Sequence, residues 1–332
     1  MEVAGQARKT PRIVVVGSVN IDATMIVART PSRGETVLAS ERRLGIGGKG
    51  ANQAVACTRL GHPTAFVGCV GGDPDGEWAS TQLRGENVGT EWVRVIADAP
   101  TGAAVILSEQ GESTIVVDAG ANAHLSPAQV RECRAVAEAD AVLCQLEVPV
   151  AAVQAAAESS RGAFVLNPAP AQPLPLELLG CVDVLIPNQH ELAVLIGAEA
   201  TDELDAIAEQ AASIEGPQAV VVTLGANGAL VVDHSGPRHI PAWPAERVDA
   251  TAAGDSFCAG VVDGLLHGLP LAEAVSWANC VASITITRPG AVDSLPTAAE
   301  LARARPAASG DSMPPIDVLS QHSPTDGGAE HV

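Results

Sequence analysis

One carboxylate stands beside a run of small residues in the segment Thr251–Phe257. Ala252, Ala253 and Gly254 lead into a predicted helix that starts at Asp255 and continues to about residue 267. Main-chain N–H groups at such a turn can point into one concavity, where they bind phosphate oxygens and stabilise charge that develops during group transfer. Asp255 would lie beside them, placed to accept a proton from a substrate hydroxyl. The alternative is that Asp255 only caps its own helix.

A glycine-rich segment, Gly45–Gln53, matches the spacing G-x-G-x-x-G of dinucleotide-binding loops. The residues before it are too charged for the buried central strand of a dinucleotide-binding unit. The segment also departs from the phosphate-loop pattern, because Arg43 replaces its first glycine and Gly50 follows Lys49 where Ser or Thr is needed. We predict instead that the glycines, which lack side chains, let a polyol approach the main chain closely. Lys49 and Asn52 would supply hydrogen-bond donors to it. A plain turn and helix start is the alternative.

Asn188 and Glu191 follow the apolar strand predicted for Val182–Ile186. They are three residues apart, so they share one face at the start of a helix. A carboxylate and an amide there can hold a hydrated Mg²⁺ beside phosphates, since Mg²⁺ usually keeps several of its waters. The alternative is a capping box, in which Asn188 caps the helix and Glu191 reaches back to it.

Further polar residues follow other predicted strands, at the edge where a parallel sheet presents its ligands. They are Asn20, Asp22, Gln145, Glu147, Asn167, Thr223 and Gly225. Each one alone is compatible with an ordinary loop residue. Together with Val182–Ile186, this makes five strands that deliver polar groups to one edge, which favours a ligand site.

The composition restricts the ligand. Among 332 residues, 39 are acidic and 19 basic, which gives a formal net charge of -20. Such a chain repels nucleic acids and anionic membranes unless it has a concentrated basic patch, and no long run of Lys and Arg is present. The aromatic share of 2% removes the stacking platforms used by single-stranded nucleic-acid binders. A nucleotide ligand must therefore arrive with a metal cation and be held by local donors.

The cysteines and the apolar runs indicate the cellular compartment of the protein. Seven cysteines contain no C-x-x-C pair, which predicts buried free thiols in a reducing cytosol. The first residues lack the apolar stretch of a signal peptide, and no apolar run approaches the ~20 residues of a membrane span. We therefore expect a cytoplasmic protein.

Short β-branched runs alternate with Ala-rich helical stretches along most of the chain. This pattern predicts an α/β fold with a doubly wound, mostly parallel sheet. Two sets of strands lack intervening helices: Asp22–Val27 with Glu35–Leu44, and Trp92–Ile96 with Ala103–Glu109 and Ser113–Asp118. We expect these strands, at approximately 21–44 and 92–118, to form a small β-sheet lid. Residues 1–10 are predicted to be a loose leader, 11–304 a single domain and 305–332 a disordered tail.

Over roughly residues 12–300 this combination resembles the ribokinase-like (PfkB) carbohydrate kinase family. Gly47–Gln53 is similar to the first signature of that family and Ala252–Asp255 to its second, while Asn188 and Glu191 fit its N-x-x-E motif. Four further stretches are similar to the ribose-phosphorylating branch: Gly17–Asp22, Gly120–Ala123, Asn167–Ala171 and Thr287–Ala291.

The resemblance implies ATP-dependent phosphorylation of D-ribose at its terminal 5-hydroxyl. Asp255 would be the general base, and the N–H groups of Ala252, Ala253 and Gly254 would stabilise the transferring phosphoryl group. The residues implied to hold the sugar are Asn20, Asp22, Gly48, Lys49, Asn52 and Glu147. Those implied to face Mg²⁺-ATP are Asn188, Glu191 (through water on Mg²⁺), Thr223, Gly225, Ala226, Asn227, Gly228, Gly254 and Asn279. A K⁺ activator would be held by Asp249, Thr251, Thr285, Arg288, Gly290 and Ser294.

Three residues depart from the family pattern. Asn279 stands where members often carry a His near the adenine, while Pro289 removes an N–H from the cation loop and Asp293 adds a charge to it. Lid strands of this family often pair between subunits, so the resemblance also implies a homodimer. The alternatives are a sister kinase acting on deoxyribose, fructose or a nucleoside such as adenosine, and a catalytically silent sensor of sugar or nucleotide. A dehydrogenase would need its glycine cluster on the first strand–helix turn, where this chain has none.

Overall fold

The computed structural model describes residues 12–109 and 112–304. The predicted leader (1–10) and disordered tail (305–332) lie outside the described residues.

The strands are β1 (Ile13–Val16), β2 (Asn20–Ile26), β3 (Glu41–Gly47), β4 (Thr64–Gly71), β5 (Gly89–Ile96), β6 (Gly102–Glu109), β7 (Glu112–Asp118), β8 (Ala141–Cys144), β9 (Ala163–Leu166), β10 (Val184–Leu185), β11 (Ala219–Thr223), β12 (Ala229–Asp233) and β13 (Gly236–Ile240). The helices are α1 (Lys49–Arg59), α2 (Pro74–Gly85), α3 (Pro127–Glu132), α4 (Arg134–Glu138), α5 (Val150–Ser159), α6 (Leu176–Leu179), α7 (Gln189–Ile196), α8 (Leu204–Ala212), α9 (Ala253–Leu266), α10 (Leu271–Thr285) and α11 (Ala298–Ala304).

A nine-stranded sheet in the order β13-β12-β11-β10-β9-β8-β1-β4-β5 forms the centre of the described chain. The strands from β11 to β5 in this order are parallel, whereas β12 is antiparallel to β11 and β13 is antiparallel to β12. Strand β1 explains why the centre is parallel: all four of its residues, Ile-Val-Val-Val, are buried. Such a strand must be covered on both faces, which βαβ connections achieve.

Two helical layers cover the two faces. Successive residues of β1 point to opposite faces, so that Val15 packs into a core with α1, α2, α9 and α10, while Val14 packs into a core with α3, α5 and α8. The carboxyl ends of the parallel strands are left at one edge, between these layers.

A separate four-stranded sheet has the order β3-β2-β6-β7. Strand β2 is antiparallel to β3 and parallel to β6, and β7 is antiparallel to β6. It corresponds to the predicted small lid sheet, with two corrections. Trp92–Ile96 belongs to β5, which pairs with β4 at the edge of the large sheet, so its assignment to the lid is wrong. The predicted strand Glu35–Leu44 is also displaced, because pairing with β2 begins only at Glu41.

The reason for the first error is visible in the burial of β5. An edge strand is covered less than a central one, and β5 mixes half-buried with exposed residues instead of forming an apolar run. Its sequence therefore has the pattern of a solvent-facing lid strand. Within the described residues, no helix has the length and apolarity that crossing a membrane requires.

Candidate active site

A cavity of about 240 Å³ opens where the carboxyl ends of the parallel strands meet the N-termini of α1, α7 and α9. Its walls include eight residues that the sequence analysis singled out: Lys49, Asn167, Asn188, Glu191, Thr223, Ala252, Gly254 and Asp255. Cys258 also lines it. Residues more than 200 positions apart thus share one enclosed space at the sheet edge.

Asp255 lies buried in the first turn of α9. Its Oδ2 accepts a hydrogen bond from Asn52 Nδ2 at 2.9 Å, and its Oδ1 accepts one from Gln53 Nε2 at 3.0 Å. Both donors are on α1, so the carboxylate binds another helix and does not simply cap its own. Burial raises the pKa of Asp255, while the charge of Lys49 and the two amide donors act to lower it. A carboxyl group with a raised pKa is a stronger base when ionised.

The start of α9 has an unusual main chain. Ala252 precedes the helix in the left-handed region, at φ 59°, which is costly for a residue other than glycine. The N–H of Ala253 donates to the carbonyl of Ala250 at 3.2 Å, so it is already engaged. Among the described residues, the N–H groups of Gly254 and Asp255 have no main-chain acceptor, which leaves them able to bind an anion. The predicted anion hole at 252–254 is therefore better centred on 254–255.

The glycine-rich segment joins the small sheet to α1, not the first strand of the large sheet to a helix. Its glycines allow close packing against the turn after β1. A Cβ on Gly48, whose φ is 86°, would lie 2.9 Å from the main-chain nitrogen of Asn20, and a Cβ on Gly50 would lie 2.5 Å from that of Ser18. This location rules out the dinucleotide arrangement and brings the start of α1 to the cavity.

Lys49 begins α1 among carboxylates. Its main-chain N–H donates to Glu147 Oε2 at 2.9 Å, and the same oxygen accepts a hydrogen bond from Ser18 Oγ. Burial acts to lower the pKa of Lys49, but the charges of Asp255 and Glu147 outweigh it and raise that pKa. The ammonium group therefore stays charged inside the site.

Two buried acceptor atoms near these groups have no hydrogen-bond partner among the described residues: Asp22 Oδ1 and Asn52 Oδ1. Buried polar atoms are almost always paired, so such atoms indicate a site that a ligand or water completes. Asn20, next to Asp22 in β2, has its Oδ1 bound by Asn122 Nδ2 at 2.8 Å. Burial raises the pKa of Asp22 to about 7, helped by the negative charges of Glu147 and Asp255.

Asn188 and Glu191 form the capping box that was the alternative interpretation. Glu191 N donates to Asn188 Oδ1, and Asn188 N donates to Glu191 Oε2, both at 2.8 Å. Both residues also line the cavity, so capping and ligand binding are compatible. Burial raises the pKa of Glu191, against the opposing effects of the Asn188 N–H and the charge of Lys49.

The turn after β11 carries the other residues predicted to face a nucleotide. Thr223 pairs with Asn188 through an isolated bridge, and Gly225–Asn227 forms one turn of 3-10 helix. A Cβ on Gly228 would lie 2.2 Å from the carbonyl oxygen of Ile240, so only glycine fits this turn against β13. Asn279 Nδ2 donates to the carbonyls of Ile240 and Pro241, which ties α10 to the same region.

The predicted cation site lies behind the start of α9. Asp249 Oδ1 accepts from both the N–H and the hydroxyl of Thr251, and its Oδ2 accepts from the N–H of Gly290 at 2.9 Å. Asp249 thus joins the loop before α9 to the loop after α10. Although burial acts to raise it, these hydrogen bonds hold the pKa of Asp249 below its usual value.

The remaining side chains there are compatible with a cation. The buried hydroxyls of Thr285 and Ser294 each donate to a main-chain carbonyl, at 3.1 and 2.7 Å, which leaves their oxygen lone pairs available. Oxygen donors of this kind suit a hard cation. The Arg288 side chain instead forms an ion pair with Glu300 at 2.8 Å, so only its main-chain oxygen could be a ligand.

Three residues of the site were not among the predicted site residues. Ser18 orients Glu147, Gln53 holds Asp255, and Asn122 bonds both the main chain of Val19 and the side chain of Asn20. Asn122 was part of a noted motif, and Gln53 stood in the first signature. Neither sequence context shows which side chain the amide contacts.

Comparison with known proteins identifies the same kinase family as the sequence motifs. The family described as pfkB family carbohydrate kinase matches residues 10–298. The ribokinase of Haemophilus influenzae is 38% identical over 301 residues, which cover 88% of this chain and 97% of the relative. The ribokinase of Staphylococcus aureus is 35% identical over 301 residues, covering 88% and 99%. The structure of Arabidopsis thaliana ribokinase complexed with ribose and ATP superposes with a TM-score of 0.80 at 31% identity, covering 89% of this chain and 98% of that one.

Proposed function

Because this chain belongs to the pfkB family of carbohydrate kinases, we propose that its cavity transfers the γ-phosphoryl group of ATP to the 5-hydroxyl of D-ribose. The family, the doubly wound α/β fold and the kinase class predicted from sequence are confirmed. The observation that carries the proposal is the arrangement around Asp255. A buried carboxylate at a helix N-terminus lies among buried acceptors that have no partner in the described chain.

We assign the sugar to the region around β2 and the start of α1, where Asp22 lines a second cavity of about 370 Å³. Asp22 Oδ1 and Asn52 Oδ1 would accept hydrogen bonds from sugar hydroxyls, which would satisfy both atoms. Asn20 and Asp22, two residues apart in β2 and therefore on the same face, suit vicinal hydroxyls, and this pair favours a furanose such as ribose. The other residues that we assign to the sugar are Gly48, Lys49 and Glu147.

The chemical step needs little from the protein beyond position and charge. Asp255 takes the proton of the 5-hydroxyl while that oxygen forms a bond to the γ-phosphorus. The bond from this phosphorus to the bridging oxygen breaks, and ADP leaves. The N–H groups at the start of α9, centred on Gly254 and Asp255, and the ammonium of Lys49 stabilise charge on the transferring group. The nucleotide is assigned to Asn188, Thr223, the turn Gly225–Gly228 and Asn279.

A kinase that uses ATP needs a divalent metal, and we assign Mg²⁺ to this role, held through water by Glu191. The free acceptor capacity of the Glu191 carboxylate supports this assignment, because only its Oε2 is used in the capping box. We assign K⁺ to the oxygens around Asp249, which are Thr251, Thr285, Arg288, Gly290 and Ser294. When bound there, K⁺ would supply positive charge behind the start of α9.

The small sheet supports a homodimer. Cross-strand register places Leu44, Ala23, Val105 and Val116 in one row, on the opposite face from Asp22. Leu44, Val105 and Val116 are 55%, 48% and 69% exposed, an unusual apolar row for a free surface. We propose that this row packs against a second copy, and that the enzyme acts in the cytoplasm. Val116→Asp should then halve the mass measured by light scattering.

The activity is tested by coupling ADP release to an optical signal with ribose, deoxyribose, fructose and adenosine, with and without K⁺. We expect the highest kcat/KM for ribose, an absolute need for Mg²⁺, and stimulation by K⁺. A higher kcat/KM for another acceptor would show that the chain is a sister kinase with a different substrate. Sugar binding without ADP release on any acceptor would favour the sensor.

A further inference from the structure

Gln53 contacts the catalytic carboxylate without reaching the cavity. Its Nε2 donates to Asp255 Oδ1 at 3.0 Å, and its side chain is fully buried. Neither Gln53 nor its neighbour Asn52 lines the 240 Å³ cavity, but Asn52 keeps a buried acceptor without a partner among the described residues. The two amides therefore have different roles: Asn52 can bind Asp255 and a ligand together, but Gln53 has no free polar atom for a ligand and acts mainly through Asp255.

A second hydrogen bond, from Gln145, fixes the orientation of the Gln53 amide. Gln145, also fully buried, donates its Nε2 to Gln53 Oε1. Because the acceptor side of Gln53 is occupied, only its donor side is presented to Asp255. Asn167 adds a weaker contact, with its Oδ1 3.4 Å from Gln53 Nε2, and is itself held by the carbonyl of Ile186 at 2.8 Å.

The packing around Gln145 leaves it little freedom. A Cβ on Gly17 would lie 2.0 Å from Gln145 Oε1, so glycine at this turn makes the room that the amide occupies. Gln145 Oε1 has no partner in the part of the chain that the structure describes. A buried oxygen without a hydrogen-bond partner costs free energy. We therefore infer that the hydrogen bond from Gln145 Nε2 to Gln53 offsets this cost.

We propose that Gln53 and Gln145 form a positioning relay, which runs from the carboxyl end of β8 through α1 and holds the Asp255 carboxylate in the orientation needed for proton transfer. This inference rests on the proposed role of Asp255 as the base. A carboxylate bound at both oxygens cannot rotate about its Cβ–Cγ bond, so its position is set before the substrate arrives. Small displacements of a catalytic group are known to reduce rates strongly.

The relay is tested with Gln53→Met, which keeps the length of the side chain but removes both amide functions. Asp255 would then lose the donor to Oδ1 and keep Asn52. If the transition state loses the whole free energy of a hydrogen bond to a charged group, kcat falls roughly 10- to 150-fold. The KM for ribose and its dissociation constant, measured by calorimetry, should stay within about threefold of wild type, because Gln53 does not touch the sugar side.

Gln145→Met provides the second variant, since it leaves the Gln53–Asp255 bond in place but frees the amide to rotate. We expect a smaller loss of kcat in the same direction, again with little change in KM. The stoichiometry of ribose binding measures the folded fraction, so a loss of kcat through unfolding would be recognised and corrected. Wild-type kcat in both variants, or a rise in KM with unchanged kcat, would overturn the relay.

Asp255→Asn, measured alongside, separates the two proposals. If it is inactive while Gln53→Met is fully active, the relay is wrong and the assignment of the base stands. If Asp255→Asn keeps wild-type turnover, the proposed mechanism itself fails, whatever Gln53 does.

Discussion

Gly47 offers a direct test of the proposed sugar site, because the space for its missing side chain is occupied by Asp22. A Cβ on Gly47 would lie 1.9 Å from Asp22 Oδ2 and 2.2 Å from Cγ. Real Cβ atoms do not come so close to other atoms, so Gly47→Ala must push the Asp22 carboxylate away. Gly47 faces Asn20 across the ladder and does not itself bond Asp255. The substitution therefore acts on one proposed hydroxyl acceptor and spares the base.

The size of the effect follows from the hydrogen bond that is lost. A bond to an ionised group contributes about 1.5 to 3 kcal/mol, and about 1.4 kcal/mol corresponds to a tenfold change in affinity. We expect the KM for ribose to rise roughly 10- to 150-fold, with kcat within about threefold of wild type, since the Asn52 and Gln53 donors to Asp255 are undisturbed. The measurement is initial-rate ADP release over a range of ribose concentrations, supported by calorimetric titration.

Gly45→Ala is the matched control in the same strand. A Cβ on Gly45 would meet nothing within 4 Å, so this variant adds the same methyl group without displacing Asp22. Its KM should stay within about threefold of wild type. In the double variant Gly47→Ala/Asp22→Ala, the two effects should not add, because the clash and the acceptor are removed together. Equal KM increases in Gly47→Ala and Gly45→Ala, or an unchanged KM in Gly47→Ala, would refute Asp22 as a hydroxyl acceptor.

The remaining predictions concern the base, a titration and the core. Asp255→Asn should lower kcat by about 10²- to 10⁴-fold and leave calorimetric ribose binding nearly intact; turnover near wild type would contradict its role. Since the pKa of Asp22 is about 7, ribose affinity should increase as its carboxyl ionises from about pH 6 to about pH 8, a dependence that Asp22→Asn should lack. Asp263 accepts from His62 Nε2 and Trp277 Nε1, so Asp263→Ala should lower the free energy of unfolding by about 3 kcal/mol in denaturant titrations; a change below about 1 kcal/mol would contradict this.

The raised pKa of Asp22 also has a consequence for stability. The folded state holds a proton at Asp22 that the unfolded chain releases above its ordinary value of 3.8. The contribution of Asp22 to stability is therefore fully present below about pH 4 and is lost as the pH rises towards about 7. The predicted ribose affinity and the stability thus depend on pH in opposite directions at this residue. This is the behaviour expected of a group that is buried for function.

The large sheet could be predicted because its central strands are buried on both faces. Runs such as Ile13–Val16 have no polar residue, and no other common arrangement accommodates them. The edge strand β5 was misassigned because an edge strand and a lid strand have the same partly exposed pattern. The start of β3 was misplaced for a related reason: its first four residues are all exposed, so hydrophobic pattern does not mark where pairing begins.

The positions of the candidate site residues could be predicted from the ends of the strands, but their contacts could not. Asp255 was singled out from its own segment, whereas its two donors lie about 200 residues earlier in α1. Whether the amide of residue 52 or 53 faces the carboxylate depends on how α1 packs against α9. In this structure both do so, and the difference between them lies in what remains free: a buried oxygen of Asn52, and nothing of Gln53.

The electrostatics of the cavity explain why the chain can be so acidic and still bind a nucleotide. Asp22, Glu147, Glu191 and Asp255 lie close enough to Lys49 or to each other for their charges to interact, and burial raises the pKa values of Asp22, Glu191 and Asp255. A single lysine does not neutralise this group, so the polyphosphate would be repelled if it entered alone. In the proposed arrangement, a divalent metal brought in with ATP would change that balance, because it would add positive charge next to Glu191 and lower the cost of ionising its neighbours. The acidic cavity thus favours the metal complex of the nucleotide over the free nucleotide, while the main-chain donors of α9 supply the remaining attraction without any added cationic side chain.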